Sequence, residues 1–200
     1  MNKVAIFFVF TILGAVVCRA IRPEELVKQK KFMRILDLPG DINVDASDFT
    51  YSNCGSASDP VQINSLTVLP APVTLGKPVT VAAQVTLTED LYHIAADVTI
   101  QKKMLGHWTN IPCVDNIGSC QYADVCEMLV NQTCPEEFTS AGIPCNCPFS
   151  AGVYNLPSTT VDTTDPGLSW LTSGEFHANV VLSQYGSRLC CYDFYVTIGN

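Results

Sequence analysis

Ten cysteines in a chain of 200 residues, six of them crowded between Cys113 and Cys147, constrain this sequence more than any other feature. Whether they are staples or metal ligands depends on the compartment, because disulfides persist on the secretory route and are rare in the cytosol. The N-terminus points to that route. Lys3 precedes an apolar run from Val4 to Val17, and Cys18-Arg19-Ala20 places small residues where a signal peptidase reads. Residues 1–20 therefore read as a secretory signal peptide. The run is marginal as a membrane span, and no later segment approaches the roughly 18 continuous apolar residues that a spanning helix needs. Cys145-Asn146-Cys147 has the spacing of half a zinc site, but cysteines spaced for local loops in a secreted chain favour disulfides, and no metal is required. Loss of Cys18 with the signal leaves an odd number of cysteines, and adjacent Cys190 and Cys191 are the expected place for the unpaired thiol. Eight paired cysteines allow about a hundred connectivities, so spacing alone does not choose among them.

The formal net charge is -8, and removal of Lys3 and Arg19 with the signal makes it more negative still. From Asp48 onward the basic residues are Lys77, Lys102, Lys103 and Arg188. So acidic a chain excludes nucleic acid as a partner. An anionic membrane would repel it at neutral pH, whereas in an acidic compartment carboxylates with reference pKa values of about 4 begin to neutralise.

Pro23 to Leu36 has the marks of a helix: proline in the first turn, Glu24 and Glu25 at the positive dipole end, and a basic run from Lys28 to Arg34 towards the other. Residues 21–47 read as a leader or propeptide, with a membrane-surface helix as the alternative. From residue 48 to 200 the period becomes two. Val79, Val81, Ala83, Val85 and Leu87 alternate with polar residues, and three further runs repeat this: Ile94 to Ile100, Phe176 to Leu182, and Tyr192 to Ile198. Turn formers at Gly76-Lys77-Pro78, Pro166-Gly167 and Tyr185-Gly186-Ser187 separate them, so one antiparallel sandwich or cup is expected over 48–200. Within the cysteine-rich segment, Tyr122, Val125, Cys126, Leu129 and Val130 fall on one face at helical spacing and predict a short helix.

Catalytic chemistry is missing from the pattern. His93, His107 and His177 form no metalloprotease pair and flank no glycine-bracketed serine. Glu89-Asp90 and Glu136-Glu137 read as solvated turn residues rather than glycosidase carboxylates. No catalytic residue, metal or cofactor is expected. Asn131-Gln132-Thr133 is an N-glycosylation sequon, which places Asn131 at the surface. Both tryptophans sit outside the periodic runs, in Met104-Leu105-Gly106-His107-Trp108 and Gly167-Leu168-Ser169-Trp170-Leu171. Indole is amphipathic and leucine enters acyl chains, so Leu105, Trp108, Leu168, Trp170 and Leu171 are the candidate lipid or membrane contacts.

Six ordered blocks carry a resemblance. They are Gly106-x-Trp108-x-x-Ile111-Pro112-Cys113, Ile117-Gly118-Ser119-Cys120, Cys134-Pro135-Glu136, Pro144-Cys145-Asn146-Cys147-Pro148-Phe149, Ser169-Trp170-Leu171-Thr172 and Arg188-Leu189-Cys190-Cys191. From Cys54 to Cys191 the chain resembles the ganglioside activators of the lipid-recognition superfamily, which also holds cholesterol carriers and innate lipid sensors. The resemblance implies an all-β fold, an antiparallel eight-strand β-cup around a lipid cavity, with a short helix in the disulfide-rich segment. It implies four disulfides, Cys54–Cys191, Cys113–Cys120, Cys126–Cys147 and Cys134–Cys145, and leaves Cys190 extra where the family has glycine. It further implies a non-catalytic activator that extracts a GM2-type glycosphingolipid from anionic membranes and presents it to a soluble beta-hexosaminidase. The location implied is the lysosome, or secretion. The runner-up is a secreted carrier or sensor with no hydrolase partner; a cysteine-rich adhesion module and an enzyme stand further back.

Overall fold

The computed structural model describes residues 49–114, 116, 118–130, 132–161, 163 and 173–199. The signal peptide and leader read from the sequence lie outside them. Among the described residues there are ten strands: β1 (Thr50–Asn53), β2 (Val61–Leu69), β3 (Val73–Thr74), β4 (Val79–Leu87), β5 (Ala95–Met104), β6 (His107–Asn110), β7 (Gln121–Tyr122), β8 (Gly152–Val161), β9 (Gly174–Gln184) and β10 (Ser187–Gly199). Eight of them have four residues or more, and two short helices, α1 (Val125–Leu129) and α2 (Glu136–Ser140), lie between β7 and β8. No helix among these residues is long and apolar enough to cross a membrane.

The larger sheet runs β1-β10-β9-β5-β6, with β3 added to β10 and β7 to β5, and the smaller runs β2-β4-β8. Pairing is antiparallel except between β3 and β10. Each period-two run from the sequence falls on a strand. Val79, Val81 and Leu87 on β4 are buried, as are Val98 and Ile100 on β5, Ala178 and Val180 on β9, and Phe194 and Ile198 on β10. Burial of each Val, Leu, Ile or Phe among these stabilises the fold by about 1.5–3 kcal/mol, so the inward faces of the two sheets are driven together. The result is one apolar core between them.

Two hairpins use two-residue turns with positive φ at both positions: Leu105 and Gly106 at 50° and 82°, Tyr185 and Gly186 at 50° and 82°. This left-handed pair matches the twist of the flanking strands. Glycine takes it freely, whereas leucine at φ 50° is strained.

The cysteine-rich segment departs from its sequence reading. Asp124 caps α1, its side chain accepting from the Cys126 amide, so the helix starts only at Val125. Tyr122 is therefore in β7, paired with Ala96, and Val130 lies past the last turn and is 66% exposed. Helical spacing grouped these two with the buried face; the cap and the five-residue length separate them from it. Glu136 and Glu137 open α2 rather than a turn, which favours the positive end of the helix.

The four disulfides pair Cys54 with Cys191, Cys113 with Cys120, Cys126 with Cys147 and Cys134 with Cys145. Strand geometry explains why Cys191 and not Cys190 meets Cys54. Successive side chains point to opposite faces of a sheet. After a bulge at Leu189, Cys190 pairs with inward Leu182 and Cys191 with Val181 on the other face, where Cys54 lies. Beside this bridge Arg188 donates two hydrogen bonds to Asp59, at 2.9 and 3.1 Å, and the Ser56 amide adds a third. The Arg188 bonds hold the Asp59 carboxyl below its ordinary range. Its contribution to stability is therefore present above the ordinary carboxylate pKa and lost only as pH falls through the lowered one.

Candidate functional site

Between the sheets lies a cavity of about 200 Å³. Its walls come from every layer of the fold: Val81, Ala83 and Val85 of β4, Val98 of β5, Val180 and Leu182 of β9, Met128 and Leu129 of α1, and Phe138 of α2. The spacing i, i+2, i+4 on β4 puts three of these on one face, and α1, whose Val125, Met128 and Leu129 line the cavity, is fastened by Cys126–Cys147.

Among the 26 described lining residues, none carries a charge, an amide or an aliphatic hydroxyl. Three are tyrosines, and each hydroxyl is engaged by backbone. Tyr122 donates to the Asn116 carbonyl at 2.9 Å, Tyr154 to the Ser150 carbonyl at 2.7 Å, and the Ile63 amide donates to Tyr192 at 2.8 Å. Their rings, not their hydroxyls, are left to the cavity. A polar group transferred here would lose its water and find no partner, at a cost of roughly 2–7 kcal/mol. Hydrocarbon would lose nothing. Lys102, at an inward position of β5 and buried, stands outside the cavity wall with Nζ 5.7 Å from the Phe176 ring centroid.

Cys190 is the exception by chemistry. Its thiol is free, buried and on the cavity wall, and burial pushes its pKa up to about 12. It stays protonated at any physiological pH and so is a poor nucleophile. We expect a charged aromatic disulfide reagent at about pH 8 to leave it unreacted in the folded chain and to titrate it once denaturant is added. Reaction in the folded chain as fast as with a free thiol would show that water reaches this wall.

The α1 wall is held by a polar junction. Burial raises the pKa of Asp124, but hydrogen bonds from the Cys126 amide, the His93 ring and the Ile94 amide outweigh it, and the carboxyl is held low. His93 Nδ1 lies 2.7 Å from Asp124 Oδ2. The cap thus stays ionised in mild acid.

A family model described as the ML domain matches residues 48–198. The chain belongs to the ML-domain family. Among curated proteins, this ML domain chain is 33% identical over 190 residues to the ganglioside GM2 activator of Mus musculus, covering 90% of this chain and 91% of that one. It is 37% identical over 153 residues to the ganglioside GM2 activator of Macaca fascicularis, covering 72% and 79%. Two solved structures resemble it at low identity. A Niemann-Pick type C2 protein from Japanese carpenter ant has a TM-score of 0.41 at 10% identity, covering 75% of this chain and 99% of that one. Chicken MD-1 complexed with lipid IVa has a TM-score of 0.40 at 12% identity, covering 74% and 88%.

Of the sequence-predicted contact residues of this ML domain, the two that are described, Leu105 and Trp108, do not line the cavity. Leu105 is at the β5–β6 hairpin tip and 68% exposed. Trp108 is on strand β6, not on a loop as its lack of periodicity suggested, because four residues paired to β5 are too few to show alternation. It does not line the cavity. Register with Lys103 places it on the outer face of the larger sheet, 38% exposed. Leu168, Trp170 and Leu171 lie outside the described residues, as does Asn131. Sequence reading missed Phe138, Ile143 and Phe149 as cavity residues. A signal for the first two existed: they are apolar residues inside the loop that Cys134 and Cys145 close.

Proposed function

We propose that this chain is a lipid-binding activator. It houses the hydrocarbon chains of a glycosphingolipid of GM2-ganglioside type and presents the sugar head to a soluble beta-hexosaminidase in an acidic, lysosomal compartment. The observation that carries the reading is the cavity wall, which among the described residues offers no charge or amide and has every tyrosine hydroxyl bonded to backbone. Such a wall takes acyl chains and leaves the head outside. Two relatives named ganglioside GM2 activator support the choice of lipid. Energetics supplies the need, since exposing one chain of roughly 18 carbons to water costs on the order of 14 kcal/mol at about 0.8 per methylene. The catalytic carboxylates belong to the hydrolase in this scheme, and the chain itself is not an enzyme.

Contact with the anionic membrane is assigned to the β5–β6 hairpin, together with Leu168, Trp170 and Leu171. Leu105 adopts a strained left-handed conformation that glycine or asparagine takes more cheaply, and holds its side chain out to solvent. Alanine at Leu105 and Trp108 together is expected to weaken liposome binding at least severalfold while leaving the cavity intact; unchanged binding would remove the hairpin from the contact surface.

The deciding experiment follows a fluorescent glycolipid leaving anionic liposomes at about pH 5 and about pH 7, with and without beta-hexosaminidase. Extraction that accelerates hydrolysis is the expected result. Extraction without acceleration would make the protein a carrier, and no extraction would end the lipid reading.

A further inference from the structure

The outer face of the larger sheet, away from the cavity, carries a row of side chains that lipid binding leaves unused. Strand register sets Asn110 of β6, Gln101 of β5, His177 of β9 and Tyr195 of β10 side by side. Gln101 Nε2 donates to Asn110 Oδ1 at 2.7 Å, and Gln101 Oε1 lies 2.8 Å from His177 Nδ1. On the other side His177 Nε2 lies 2.7 Å from Asp193 Oδ1, which also accepts from Asn179 Nδ2 at 3.0 Å. The ring stacks on Tyr195 at 4.5 Å and meets Trp108 edge-on at 5.7 Å.

Counting donors gives the consequence. Both ring nitrogens face an oxygen, with the Gln101 amide oriented by Asn110. A neutral imidazole has one N–H, and the imidazolium has two. Only the charged ring completes the row as it stands. A neutral ring must either give up Asp193 or accept from a Gln101 that turns over together with the exposed Asn110 amide. Each alternative loses the ion pair to Asp193 and the charge-assisted bond to Gln101, which are about twice as strong as neutral ones. Strand β6 is four residues long at the sheet edge and pairs only with β5, so a few side-chain contacts govern how firmly it is held.

We propose that protonation of His177 clamps the β5–β6 hairpin to the sheet, so that Leu105 and Trp108 are held in place in acid and released towards neutral pH. In its membrane consequence this rests on the hairpin being a membrane contact, as assigned above. The other titratable groups facing the hairpin are Asp193 on β10, Glu175 on β9 and its 2.9 Å partner Lys103 on β5, Tyr195, and His107 on β6 itself. Lys103 Nζ stands 5.8 Å from the Trp108 ring centroid.

The test is amide hydrogen exchange over residues 104–112 of the full secreted chain at about pH 5 and about pH 7.5, corrected for the pH dependence of the exchange chemistry, a range in which histidine changes charge. Wild-type protection at the lower pH should exceed that at the higher about tenfold, the scale of a hydrogen bond to a charged group. His177→Gln should abolish the difference and Asp193→Asn should shrink it, while His107→Gln and Glu175→Gln should keep it. Equal wild-type protection at both pH values would overturn the proposal, as would a full difference surviving in both His177→Gln and Asp193→Asn. Liposome binding of Leu105→Ala separates the two claims: a pH-dependent clamp with unaltered liposome binding keeps the clamp and discards the membrane contact.

Discussion

Serine at Cys54 and Cys191 together is expected to lower unfolding stability by about 5 kcal/mol, more than any single side-chain loss in the core. The bridge spans 137 residues. Cross-linking removes loop-closure entropy from the unfolded chain, and the saving grows with the logarithm of the loop. By the same relation the bridge between Cys113 and Cys120, only 7 residues apart, contributes about 2.5 kcal/mol. Domains have about 5–15 kcal/mol in all, so the first variant stands near the limit of folding. Its β1 strand keeps four residues of pairing to β10 and the bond from the Cys54 amide to the Cys191 carbonyl, so the native topology remains available. Denaturant titration of both double-serine variants is the measurement. Equal losses would mean that strain or residual structure, rather than loop length, sets the value of these bridges.

Aspartate in place of Val85 is expected to reduce lipid affinity on the order of a hundredfold at neutral pH. Val85 lines the cavity on β4, between Ile63 of β2 and Tyr154 of β8, and is only half-buried, so the strand can carry the substitution. A carboxylate there has no cation or amide among the lining residues to receive it, and acyl chains packed on it would bury an unpaired charge. The group would respond by a raised pKa, since burial disfavours its charged form. Affinity should therefore recover in part as pH falls towards 5, with Val85→Leu near wild type at every pH. Lipid transfer by the aspartate variant equal to that of wild type would place the ligand elsewhere. Circular dichroism separates loss of binding from loss of fold.

The two outcomes draw on parts of the molecule that differ in how far they can be read from residue order. The strands that build the cavity announce themselves: Val79 to Leu87 and Tyr192 to Ile198 alternate because one face of each is buried, and the alternation survives in the primary sequence. The short elements do not. Strand β6 has four residues and α1 five, lengths at which neither period can be distinguished, so Trp108 read as a loop residue and Tyr122 as helical. Phe138 read as nothing in particular, although it is among the most deeply buried side chains in the described fold. It lies in the loop closed by Cys134–Cys145, a pairing that spacing alone left open and the family resemblance implied.

Residue order by itself determined the all-β class. It also carried the six blocks by which the family shows. These are properties of local pattern and residue type, and they need no knowledge of what lies opposite. Tertiary structure supplied the physical reason for the Cys54–Cys191 pairing that the resemblance implied, and by itself decided the rest. That Cys191 bonds Cys54 while Cys190 faces the cavity follows from a bulge at Leu189 and the register of β9 on β10. That His177 lies between Asp193 and Gln101 follows from three strands brought side by side from positions 16 and 76 residues away. That the three tyrosine hydroxyls of the cavity wall are each bonded to backbone follows from where the fold places a carbonyl or an amide beside them. Each is a statement about partners distant in sequence, and pairing register, which a one-residue slip would invert, is set by the whole sheet rather than by any segment of it.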